Sequence, residues 1–242
     1  MSRNLAFEWV RASTLRSTWG FPLLGILMVT AITVVMLLFG GSPDADLPDP
    51  TMGELLVNAG NPLGVVFMTT ICAQAFGHEY RDGTMRLVLS EFPARSRVFL
   101  SKLLIPALIV AGAVLVASAI IAILAATVGG GVEMGSSAAG LLTVIARQVA
   151  IAVWWGLMVA GITALLRNLA AGIVFALVLS AILEGLLFVL LGSRLGWLDD
   201  VLPFTAATQW ASDGGTRHGL VALGWVAVVV GAAWVRFLKR DA

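Results

Sequence analysis

Residues 76–104 read FGHEYRDGTMRLVLSEFPARSRVFLSKLL. Eight of them are charged, five positive and three negative. Long apolar runs flank the stretch on both sides, and a short greasy segment, MRLVLSEF, lies inside it. The densest charge cluster of the chain therefore interrupts two apolar segments, and the nature of those segments decides the fold.

The chain has 242 residues, 59% hydrophobic and only 12% charged, with mean hydropathy +0.97. A soluble domain is nearer half apolar and a quarter charged, so composition alone points to an integral membrane protein. The formal net charge of +1 supplies no basic field for nucleic acid. Cys72 is the single cysteine, which excludes an intramolecular disulfide framework. Its apolar neighbours read it as a small buried hydrophobe.

A helix crosses a bilayer core of about 30 Å with about 20 mostly apolar residues. Five segments meet that requirement. Segments 20–41 and 103–128 carry no charge, 141–166 carries only Arg147, and 169–191 carries only Glu184. Segment 219–235 is uncharged and ends in Arg236, Lys239 and Arg240. A sixth, 55–77, contains Asn58, Asn61, Pro62 and Gln74, and its apolar core is 62–77. Backbone groups in lipid must be satisfied within the segment, and no barrel-type alternation is present, so these segments are expected to be helices. The expected fold is an all-α integral membrane protein, one transmembrane domain over 1–242 with six spans.

Residues 2–19 (SRNLAFEWVRASTLRSTW) precede the first span, which is too long and too far along the chain for a cleavable signal peptide. Leu5, Trp9, Ala12 and Trp19 fall roughly along one helical face, and Arg3, Arg11 and Arg16 could reach lipid phosphates. These features suggest an amphipathic surface helix. Arg16 falls on the apolar face, and a polar tail is the alternative. Six spans put both termini on one side, and 12 of the 15 basic residues fall on that side. The positive-inside rule makes it the cytoplasmic face of a cell membrane.

Residues 78–102 then form the major cytoplasmic loop. Gly83 ends the continuation of the second span. Residues 84–91 suit two turns of helix, Pro93 disfavours helix at Phe92, and Ser96 suits the N-cap of the next helix. Met85, Leu87, Val88 and Leu89 cover more than one face of the short helix, so the membrane surface could take one face and a partner protein the rest. Glu79, Arg81, Asp82 and Arg86 suit the rim of such an interface. An interfacial helix with ordinary positive-inside charges is the competing reading.

The same run resembles the first cytoplasmic loop of permease subunits in ABC type-2 exporters. That loop carries an E-Y-R-x-G-T-like sequence, a short apolar helix, a Pro-x-x-R-like turn and a Lys entering the next span. Here these are Glu79, Tyr80, Arg81, Gly83, Thr84, Pro93, Arg97 and Lys102. The likeness extends to the N-terminal surface helix, six spans, a glutamate late in span five, and Leu202-Pro203 before span six. It implies that the loop holds a coupling helix docking on an ATPase subunit, with Glu79, Arg81, Asp82, Gly83, Thr84, Met85, Arg86, Leu87 and Leu89 as the coupling residues. It also implies a second permease half, identical or related, and ATP with Mg bound by the partner rather than by this chain. The sequence supports the last point independently. A Walker A loop needs Gly-Lys-Ser/Thr, and the two lysines, Lys102 and Lys239, have neither neighbour.

Ionisable groups inside a bilayer are costly and usually functional. At about 1.5 Å per residue, Arg147 lies about 9 Å and Glu184 about 11 Å from the outer boundary. The matching depths suggest an ion pair between spans four and five. The alternatives are a snorkelling Arg147 with Glu184 bonded elsewhere, or a direct role with substrate. Segment 192–218 is too short and broken to cross. Trp197, Phe204 and Trp210 suit an outer interface, and the family resemblance implies re-entrant or interfacial helices capping the exit path.

His78-Glu79 lacks the second histidine of a zinc motif, His218 is a lone loop histidine, and Gly129–Gly131 follows a span, so no metal or phosphate loop is expected. Gly156, Gly161, Gly224, Gly231 and the run Ala111-Gly112-Ala113 suit close helix packing. The expected function is export of a substrate powered by a separate ATPase. With few charges in the spans, an amphipathic or lipid-like cargo is favoured over an ion. The alternatives are an ion- or proton-coupled secondary transporter and a non-transporting membrane adaptor. An intramembrane enzyme is disfavoured because no span holds a histidine.

Overall fold

The structure, a computed structural model, describes residues 2–14, 16–39, 51–57, 62–127, 137–178, 184–191 and 201–240. Among the described residues all regular structure is helical. In chain order the helices are α1 (Ser2–Thr14), α2 (Arg16–Phe39), α3 (Met52–Val57), α4 (Pro62–Arg81), α5 (Met85–Glu91) and α6 (Arg95–Thr127). They continue with α7 (Ala138–Leu166), α8 (Leu169–Val178), α9 (Glu184–Leu191), α10 (Pro203–Asp213) and α11 (Thr216–Arg240). Among the described residues four stretches are long and apolar enough to cross a membrane: Thr18–Phe39, Arg95–Thr127, Ala138–Leu166 and Thr216–Lys239. That is consistent with a membrane protein. The described part of the polar segment 55–77 falls in α3 and α4. A capping box opens α3: Thr51 N–H and Oγ1 donate to Glu54 Oε2 at 2.8 and 3.0 Å, and Glu54 N–H donates back to Thr51 Oγ1 at 3.3 Å.

Helix α7 is the centre of the bundle. It packs against α3, α4, α6, α8, α10 and α11, and 67% of its most apolar stretch is buried, against 22% for α2 and 17% for α11. Those two outer helices turn large side chains outward, among them Leu23, Leu27, Leu38, Leu220 and Val228. Apolar faces of that kind are stable when lipid or another apolar surface covers them. Helix α6 has 33 residues, about 50 Å at the ordinary rise. It is longer than the thickness of a hydrocarbon core, about 30 Å.

Small residues set the closest helix approaches, because without a side chain two backbones can nearly touch. A Cβ placed on Gly25 of α2 would lie 2.7 Å from the Gly64 carbonyl oxygen of α4, and one on Gly64 would collide with Val29. At Gly156 and Gly161 the expected close packing is present, against Cys72 Sγ (2.8 Å) and Val229 Cγ1 (2.9 Å). Gly112, Gly224 and Gly231 face open space instead. Spacing along one helix cannot tell which small residue meets a neighbour.

Gly25→Ala is therefore expected to destabilise the bundle by about 1–3 kcal/mol, the ordinary cost of overpacking. Gly224→Ala should leave it unchanged or slightly firmer. Thermal unfolding of the two variants in one detergent separates these outcomes; equal midpoints would refute the α2–α4 contact.

Candidate functional site

The charged loop is built on a buried ion network. Lys102, in the second turn of α6, is fully buried. Its ammonium donates to Glu8 Oε1 of α1 at 2.7 Å, to Glu79 Oε1 of α4, and to the Ala75 carbonyl at 3.3 Å. Arg11 closes the ring, 2.8 Å from Glu79 Oε1 and 3.2 Å from Glu8 Oε2. It also donates to the Ala75 and Gln74 carbonyls of α4. Two cations and two carboxylates thus tie α1, α4 and α6 together at one level. A cavity of about 20 Å³ adjoins Glu8, Arg11, Gln74 and His78. That is room for a water rather than for a ligand, so the cluster reads as a structural joint.

This arrangement corrects two expectations for the N-terminal helix. Arg11 lies within the network, not among lipid phosphates. The inward face of α1 is Leu5, Glu8 and Ala12, while Trp9 is 50% exposed and shares the outer side with Phe7 and Val10. A glutamate in register with Leu5 and Ala12 was the available signal that this face meets protein. A membrane-facing stripe has no use for a buried carboxylate.

Helix α5 follows from three local causes. Gly83 takes φ +68°, a left-handed turn that a side chain would strain. Thr84 occupies the N-cap position without a side-chain cap bond. At the other end Phe92, before Pro93, leaves the helical region at φ −123° and ψ 86°. The next helix begins at Arg95, so Ser96 falls inside its first turn rather than capping it. Met85 and Phe92 are buried, and Val88 and Leu89 pack on the core. These four positions are spaced i, i+3, i+4 and i+7, the single apolar stripe of an amphipathic helix. Phe92 packs against Phe7 of α1 with ring centres 5.3 Å apart and the rings tilted by 53°, and Arg3 of α1 bonds Glu91 at 2.8 Å.

The loop's candidate residues divide accordingly. Leu87 is 68% exposed, and Arg81, Asp82, Gly83 and Arg86 are exposed beside it. Thr84 and Leu89 are half-buried, while Glu79 and Met85 are buried in the joint and under the helix. A partner reaches those last two only through their neighbours. Arg81 Nε bonds Asp82 Oδ1 at 2.9 Å, which holds the Asp82 carboxyl below its ordinary range. Beneath the loop Phe99 packs against Phe76, Trp234 and Phe237. Arg95 Nη1 caps the end of α11 by donating to the Leu238 carbonyl at 2.8 Å.

Arg147 and Glu184, expected at matching membrane depths, do not pair with each other. Glu184 is 3% exposed and accepts from Phe204 N–H (2.8 Å), Thr205 N–H (2.7 Å) and Thr205 Oγ1 (2.9 Å). Arg147 Nη1 donates to the Ser212 carbonyl at 2.9 Å. The two residues therefore hold opposite ends of α10, the anion at its amino end and the cation at its carboxyl end, as the helix dipole favours. The local cause is legible: α10 starts at Leu202-Pro203, which offers no capping oxygen, so its first amide donors need an acceptor from elsewhere. Within segment 192–218, residues 192–200, including Trp197, lie outside the described residues; the rest holds α10 and the start of α11. Among the described residues no cluster of His, Cys, Asp and Glu suits a metal.

Compared with models of known protein families and with curated proteins, the sequence finds no match.

Removing one member of a buried ion pair strands the other and costs about 3–5 kcal/mol, so Lys102→Met should sharply lower the unfolding midpoint. Arg3→Ala removes only an exposed pair and should cost under about 1 kcal/mol. At the other end, Glu184→Ala and Arg147→Ala should each expose α10 to proteolysis. The double charge swap should rescue neither, because the two side chains serve different ends of the helix. Rescue by the swap would restore the direct ion pair.

Proposed function

We propose that this chain is the permease half of an ABC-type exporter, with α5 as its contact to a separate ATPase subunit that binds ATP and Mg. In this reading α4 is a further span, since its 20 residues reach about 30 Å. Helices α8 and α9 contribute the sixth. Both termini and the charged loop lie on the cytoplasmic side of a cell membrane. A second copy or a related permease completes the translocation path between the halves.

The observation that carries this reading is the mounting of α5. It is a two-turn helix with one large exposed apolar side chain, Leu87, among exposed charges. At its carboxyl end Phe92 packs against Phe7 of α1 and Glu91 bonds Arg3, and the segments leading into and out of it are anchored at Glu79 of α4 and Lys102 of α6 in one ion network. In this reading those anchored flanks stiffen the loop, so that a push on α5 reaches α4 and α6. Alternating access driven by ATP-dependent closure of a partner needs that stiffness.

The test is affinity purification of the chain in mild detergent, followed by mass spectrometry of what accompanies it. A stoichiometric ABC-type ATPase is expected. Leu87→Asp should weaken its retention about thirtyfold, taking about 2 kcal/mol for a central interface anchor, with the unfolding midpoint unchanged. No ATPase in repeated preparations, with Leu87→Asp harmless to function, would return the secondary-transporter and adaptor readings.

A further inference from the structure

The last turn of α4 is held on a second side. Glu79 turns toward α1 and α6 and enters the ion network. Gly77 and Tyr80, three residues apart on one helical face, turn toward the junction of α7 and α8 instead. A Cβ on Gly77 would lie 2.6 Å from a Leu169 methyl carbon and 3.0 Å from the Leu169 Cα, so the start of α8 rests on the α4 backbone. The Tyr80 ring centre lies 5.8 Å from the Arg167 guanidinium carbon, within the range of a cation–π contact.

The turn that carries Arg167 is itself stiff. Only Arg167 and Asn168 join α7 to α8. Arg167 takes φ 55° and ψ 31°, a left-handed conformation that a β-carbon disfavours, and its N–H donates to the Thr163 carbonyl at 2.8 Å. Asn168 Oδ1 accepts from the Ala170 and Ala171 amides at 2.9 and 3.3 Å, which caps α8. A Cβ on Gly172 would collide with Thr163, so α8 lies directly against α7. Leu169 and Ile173 of α8 then pack on Ala73 of α4 and Val159 of α7. A left-handed helix end ordinarily takes glycine; here it carries an arginine whose side chain reaches another helix.

We propose that Arg167 is a positioning residue, clasping the α7–α8 turn to the end of α4 through Tyr80, so that a displacement of the loop at Gly83 reaches α7 and α8 as well as α4 and α6. Gly83 follows Tyr80 by only three residues. Along its length α4 already packs on α7; the clasp adds a tie at the loop end, where a partner would push. Helix α7 packs on most of the other helices, so a displacement that reaches it reaches the bundle. Use of the clasp to carry a push from an ATPase rests on the exporter reading, whereas the clasp itself is a property of this chain alone.

Hydrogen exchange of the purified chain in mild detergent tests it, read by mass spectrometry on peptides covering 78–82 and 169–175. Arg167→Asn keeps a residue that tolerates the left-handed turn and removes the cation. Tyr80→Leu keeps an apolar side chain and removes the ring face. Each is expected to speed exchange on the other element about threefold, the worth of one exposed cation–π contact, with the unfolding midpoint unchanged. The double variant should exchange no faster than either single one. Arg167→Lys, which keeps a cation, should lie closer to the parent chain than Arg167→Asn does. Exchange at 78–82 indifferent to Arg167→Asn, or effects of the two substitutions that multiply in the double variant, overturns the proposal. The exporter reading fails separately, on repeated purifications that bring down no ATPase.

Discussion

The ammonium of Lys102 is the contact on which the loop end of the molecule depends. It is buried without exposure to solvent and held between carboxylates from two other helices, Glu8 and Glu79. A lone charge there would be intolerable, and a single pair would barely offset its own desolvation. Adding Arg11 balances two positive charges with two negative ones and supplies hydrogen bonds to the carbonyls of Ala75 and Gln74. Such a joint is all-or-none. It fixes the relative positions of α1, α4 and α6 because sliding any of them strands a charge.

Around that joint the loop has little freedom. Gly83 and Pro93 set the ends of α5, and the stripe of Met85, Val88, Leu89 and Phe92 glues it down. The aromatic group of Phe76, Phe99, Trp234 and Phe237 fills the space toward α11. What remains outward is small: Leu87 with a fringe of charge.

The other end of the bundle uses different physics. There α10 is a short element with both ends tied by side chains from elsewhere, Glu184 at the first amides and Arg147 at a carbonyl of the last turn. Ionisable groups are costly at membrane depth, but each here completes a helix end that would otherwise hold unpaired backbone groups. Counting residues along the sequence suggests an ion pair between them, but both side chains bond the backbone of one helix instead.

Much of this could be read from residues alone. Uncharged runs of membrane length, the breaks at Gly83 and Pro93 and the two-turn helix between them all follow from local chemistry. The partners of the charges do not. Glu8, Arg11, Glu79, Lys102, Arg147 and Glu184 each announce by their setting that something must compensate them, yet a carboxylate carries no label naming its cation. The same holds for glycines: Gly25 and Gly64 meet while Gly224 and Gly231 do not, a distinction absent from their spacing. Hydrophobicity and backbone preference act over a few neighbouring residues and are written in the sequence. Charge pairing, capping from a distance and backbone contact act between segments far apart in the chain, so only their arrangement in space decided them.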